Sequence, residues 1–140
     1  MRGVRFGAYH SYDTWKLMLR KAVEVTPPKP KTHYVEIPGK NGSLDLSTAM
    51  TGAMRYEDRE IRMVFVTLSE RNEWPVTESD MLEKIHGQEM QIVLDDDPDY
   101  YYTGRVSVGD AVQGNKSVEV EVTAQVRPYK TSHDGTVKKL

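Results

Sequence analysis

The chain has 140 residues, 38% of them hydrophobic and 29% charged, a balance that fits a single soluble globular domain with a thin core. It has no cysteine, which excludes disulfide scaffolds, thiolate nucleophiles and cysteine metal sites, and no apolar run near the roughly 20 residues that span a bilayer. A net charge of −2 excludes a global attraction to nucleic acid, and the basic start from Met1 to Arg5 lacks the apolar segment of a secretory signal.

In chain order, residues 4–9, 14–19 and 33–37 read as short strands. Between them, Thr26-Pro27-Pro28-Lys29-Pro30-Lys31 is too rich in proline for a central strand and is expected to be extended and stiff. Pro38-Gly39-Lys40-Asn41-Gly42 follows as a shaped turn that needs positive φ at Gly39 or Gly42. Residues 44–46 form a short paired segment. Residues 47–54, STAMTGAM, are small and weakly polar, with two methionines and no periodicity. They read either as a surface loop or as an arm that orders against another subunit, where methionine supplies adaptable apolar contact. The candidate interface residues are Ser47, Met50 and Met54, with Tyr56 and Arg59 at the exit.

The run 59–68 alternates, Ile61, Met63 and Phe65 against Arg62, Val64 and Val66, and turns apolar on both faces towards its end. A helix of about ten residues follows. Thr77 serves as its cap, Asp80 completes a capping-box variant, Val76 and Met81 form a staple, and Gly87 closes it in a left-handed conformation. Residues 89–94 and 100–108 are strands around an acidic turn, Asp95 to Asp99. Residues 118–126 give the clearest alternation, with Val118, Val120, Val122, Ala124 and Val126 on one face. The segment from Lys130 is polar, basic and expected to fray. The fold class is therefore mainly β, an antiparallel sandwich or partly open barrel with one short α-helix, spanning residues 1–129 with a tail over 130–140.

Nothing in this pattern assembles catalytic chemistry. The acidic turn lacks the glycine and downstream glutamate of a calcium loop, and His10, His33, His86 and His133 show no metal-ligand spacing. No nucleophile elbow exists, and Pro38 to Gly42 lacks both the Gly-Lys-Ser/Thr ending and the helix of a phosphate loop. The sequence points to no catalytic residue, metal or cofactor. Tyrosines are frequent, and Tyr100-Tyr101-Tyr102 alternate across a strand. Core packing, a protein interface or sugar stacking are all open to them.

In their order, these pieces resemble the N-terminal domain of the siphophage distal tail protein family. The resemblance rests on Val35-Glu36-Ile37-Pro38-Gly39, then Gly42, Leu44, Asp45 and Leu46, and continues through Tyr56 and Arg59 to Phe65. It goes on with the helix near Thr77, the hairpin from Asp96 to Arg105, and the closing Arg127-Pro128-Tyr129. It implies a structural, non-enzymatic role in a hexameric ring that joins the tail tube to baseplate, hub or fibre proteins. It also implies a channel that DNA crosses without specific binding, a tape-measure partner, no membrane contact, and a place in a virion tail assembled in the host cytoplasm. Many members carry a second, galectin-like domain; the chain's end soon after Tyr129 suggests a minimal hub or a truncated chain. Two rivals remain. One is a carbohydrate-binding module stacking sugars on Tyr100, Tyr102 or Trp74; the other is a different ring-forming tail component, such as a tube or terminator subunit.

Overall fold

The computed structural model describes residues 2–49, 52–69 and 72–140. The first segment is a hairpin, β1 (Val4–Phe6) and β2 (Tyr9–His10), where one strand was expected. A five-residue helix, α1 (Ser11–Trp15), then occupies the start of the expected strand 14–19. The His10 side chain caps it by accepting the Tyr12 N–H, and Lys16 ends it at φ 57°. Only β3 (Met18–Leu19) remains of that strand, followed by β4 (Glu24–Val25).

Next come β5 (Tyr34–Glu36), β6 (Ser43–Asp45) and the ten-residue β7 (Arg59–Leu68). The second helix, α2 (Trp74–Lys84), starts three residues before Thr77. Pro75 lies in its first turn, where a missing N–H costs nothing, and no side chain caps it. Thr77 and Asp80 are therefore interior, and Val76 is exposed instead of stapling. Gly87 does take positive φ, at 74°.

The remaining strands are β8 (Glu89–Leu94), β9 (Asp97–Gln113), β10 (Ser117–Val126), β11 (Lys130–Ser132) and β12 (Lys138–Lys139). The acidic turn contracts to Asp95 and Asp96, since Leu94 already pairs with Asp97. The expected frayed tail is instead a hairpin, β11 with β12, and β11 adds to β9 through Thr131↔Tyr101. Lys130 anchors it on Asp97 and lies over the Tyr100 ring; the Asp97 hydrogen bond chiefly holds the ammonium pKa above its ordinary value.

The main sheet runs β2-β1-β8-β9-β10-β7-β3, all antiparallel, with β4 also on β7. β10 pairs with β7 over its full length, from Ser117↔Leu68 to Val126↔Arg59. Four strand spacings separate β1 from β7, roughly 19 Å in a flat sheet. Yet the Phe6 and Phe65 rings meet edge to face at 6.4 Å, so the sheet curls over itself without closing. Inside the curl lie Val4, Phe6, Ile61, Met63, Phe65, Val120 and Val122, packed with Trp74 and Met81 of α2 and Ile85 at its C-cap. The architecture is the expected mainly β one, with a second helix.

Candidate functional site

One element stands apart from this core. β5 and β6 form a separate two-stranded sheet, and every residue of both strands is exposed. Their register is Tyr34↔Asp45, Val35↔Leu44 and Glu36↔Ser43, so Val35 and Leu44 share one face in water. An isolated two-stranded hairpin is marginal on its own. Local chemistry shapes it instead.

At the tip, Lys40 donates its N–H to the Ile37 carbonyl at 3.2 Å, with Pro38 and Gly39 between them. Proline fixes the first corner, and Gly39 at φ 82° supplies the second, the pattern of a type II turn. Gly42, at φ 76°, returns the chain to β6. At the other end, Ser47 clasps the strands. Its hydroxyl accepts the His33 N–H at 2.9 Å, while its own N–H and hydroxyl both donate to Asp45. Those two hydrogen bonds, the hydroxyl's first, hold the Asp45 carboxyl pKa below its ordinary value.

The root of this arm is tied to the body. Pro30 and Tyr56 form an antiparallel bridge, flanked by Lys31 N–H to Arg55 carbonyl and Glu57 N–H to Lys29 carbonyl, both at 2.7 Å. The Tyr56 ring meets Tyr129 edge to face at 6.2 Å. Arg59 donates to the Thr26 and Pro128 carbonyls and lies over the Tyr102 ring. Its guanidinium thus fastens the proline-rich strap, β7 and the chain after β10 at one point. Of the candidate interface residues, the structure brings Ser47, Tyr56 and Arg59 into the arm's clasp and root; Met54 is half-buried, and Met50 falls outside the described residues.

The other candidates resolve into structural roles. Asp95 accepts the Gly3 N–H and a bond from His10 Nε2, both at 2.8 Å. Ser11, His10 and Asp95 are neighbours, a juxtaposition the sequence reading missed. They do not make a nucleophilic triad. The other His10 nitrogen is occupied by Tyr12, and the fully buried Ser11 hydroxyl accepts the Val4 N–H. Tyr102 and Trp74 are in the core, and Tyr100 is flanked by Lys130 and Lys139. Among the described residues, no group of three or more His, Asp or Glu is arranged to hold a metal ion.

No family model and no curated protein matches this sequence. Its fold, however, matches the crystal structure of SPP1 Dit (gp 19.1), described as a paradigm of the hub adsorption apparatus in phages infecting Gram-positive bacteria. The TM-score is 0.72 at 14% sequence identity. The match covers 94% of this chain and 52% of the SPP1 chain, so this chain spans about half the length of that protein. The likeness to a siphophage distal tail protein, first read from ordered motifs, thus holds at the level of the whole fold.

Proposed function

We propose that this chain is a structural hub protein of a phage tail, a distal tail protein whose protomers close into a hexameric ring. The observation that carries this reading is the fold shared with SPP1 Dit over 94% of the chain. In this role the ring joins the tail tube to the baseplate or tail-tip proteins and surrounds the channel through which DNA leaves. Its partners are further copies of itself, the tube protein, a hub or fibre protein and the tape-measure protein. It resides in the virion tail after assembly in the host cytoplasm, and it catalyses nothing.

The arm between Pro30 and Tyr56 supports an assembly role. It exposes Tyr34, Val35 and Leu44 on a hairpin with no support from its own chain's core. Contact with a neighbouring subunit would cover them, and association stabilises whatever state binds. Ser47 clasps the arm's strands, while Tyr56 and Arg59 tie its root to the body. The carbohydrate-module reading loses ground, because Tyr102 and Trp74 are only 5% and 1% exposed and offer no stacking face.

Electron microscopy of the purified chain, alone and mixed with tube protein, tests the proposal. Discrete six-fold rings that cap tube ends are expected. Long helical tubes would instead indicate a tube subunit, and particles of single-protomer size at every concentration would overturn the ring.

A further inference from the structure

We propose that the arm of one copy docks on the outward face of α2 in the next copy, a pairing that rests on the arm being an intersubunit contact. The first observation is charge left unpaired. Lys29, Lys31, Lys40 and Arg55 belong to the arm and its root, and none has an ion pair among the described residues. On and beside the main sheet, Arg20, Arg62 and Arg127 have carboxylate partners, while Arg105 donates to the Gly87 carbonyl and Arg5 has no ion pair among the described residues.

The complementary surplus is on α2. Lys84 neutralises Asp80, but Glu73, Glu78 and Glu83 have no ion pair among the described residues. The helix buries Trp74 and Met81, which leaves Pro75, Val76, Ser79, Leu82 and Glu83 along its outer side. Val76 is 72% exposed and Leu82 39% exposed, a small apolar strip rimmed by carboxylates. The arm offers the counterpart, Val35 and Leu44 on one face, with Lys40 at the tip and Lys31 and Arg55 at the root, while its carboxylates Glu36 and Asp45 stand on the opposite face.

Topology makes the contact intermolecular. The arm's root joins β7 at Arg59, whereas α2 begins beyond Leu68 at the other end, and ten extended residues span roughly 30 Å. The hairpin's strand residues are all exposed, so it is not seated on its own helix. Arm and acceptor are different surfaces of one molecule. Such a head-to-tail contact repeats around an axis and closes into a ring when the rotation divides the circle.

Charge exchange tests the pairing. One full-length variant carries Glu73→Lys, Glu78→Lys and Glu83→Lys; another carries Lys31→Glu, Lys40→Glu and Arg55→Glu. Each alone is expected to weaken self-association at least about tenfold at low salt in sedimentation velocity, with the melting temperature preserved. Mixing the two restores assembly, because each reversed arm then meets a reversed helix. The chain lacks cysteine, which permits an independent check on more conservative variants. Copies bearing Leu44→Cys and copies bearing Leu82→Cys, mixed under mild oxidation, should form a covalent dimer, while Leu44→Cys with the exposed Val112→Cys should not. Rings that form in the wild type and persist unchanged in the α2 variant, or a cross-link to Val112 in place of Leu82, would overturn the α2 site and leave the ring standing. A wild-type chain that stays monomeric would overturn both.

Discussion

Replacing Val35 and Leu44 together by serine separates the two jobs a hydrophobic pair can do. Full burial of a valine or leucine side chain contributes about 1.5–3 kcal/mol. In the protomer Val35 is 37% exposed and Leu44 47% exposed, so a little under half of that gain remains unrealised. Covering the rest at a subunit boundary is worth roughly 1 kcal/mol per residue, about 2 kcal/mol for the pair. Every 1.4 kcal/mol is tenfold, so the double variant should raise the dissociation constant of each contact about 30-fold. The slightly more than half already covered within the protomer sets an upper bound of about 2–3 kcal/mol on the loss in protomer folding, read separately from association. Sedimentation velocity across a concentration series reads the first quantity and urea denaturation the second. Unchanged association would refute the reasoning, as would a loss in folding stability well above about 3 kcal/mol, which would mean that the pair belongs to the protomer's own core.

Three further outcomes follow from local geometry. A methyl group at Gly104 would lie 2.1 Å from the Gln125 carbonyl oxygen and 2.6 Å from Val126 Cα. Gly104→Ala should therefore force β9 and β10 apart and cost about 1–3 kcal/mol in denaturant unfolding; a neutral result would mean that the strands are not this close. His10→Ala removes the α1 cap and the Asp95 contact together, an expected loss of about 2 kcal/mol. His10→Asn, which can still cap, should recover part of it in the same assay. Asp134, in the β11–β12 turn, has its pKa lowered from 3.8 to about 2, first by the Ser132 hydroxyl and then by the Thr136 N–H and hydroxyl. A depressed carboxyl pKa stabilises the turn above its ordinary value, and this contribution is lost as pH falls through the folded value. The protection factors of the Thr136 and Val137 amides, taken against the unstructured rate at each pH, should thus hold at pH 4 and fall towards pH 2, and Asp134→Asn should flatten that dependence.

Legibility in the sequence followed the range of the interactions. β7, β8 and β10 were readable to within a residue, because half-buried strands write their burial into alternating residues. The Gly39 and Gly42 turn was readable because its φ values suit glycine. α1 was not: it has only five residues, and its cap is a histidine held by Asp95, 85 residues away. Thr77 misled for a related reason. It has the chemistry of a cap, but Pro75 lets the helix begin earlier without one. The C-terminal hairpin depends on Lys130 finding Asp97 and on Thr131 pairing with Tyr101, partners that no local pattern announces.

For the arm, the sequence exposed its composition but not its geometry. Residues 47–54 drew attention as an unpatterned insert, whereas the projecting part is the strand pair ahead of them, and Ser47 is its clasp. The sequence made Arg59 a candidate interface residue at the exit of that segment. In the structure its guanidinium meets two carbonyls and the Tyr102 ring of its own chain. Periodicity reports which face of a strand is covered, and a hairpin exposed on both faces gives it nothing to report.

The measurement closest to the central claim is native mass spectrometry of the intact chain at micromolar concentration. Six copies of a 16.0 kDa chain give a closed ring of about 96 kDa, and that mass, without larger open-ended series, is the predicted result. A single species at 16.0 kDa throughout the concentration range would contradict the account.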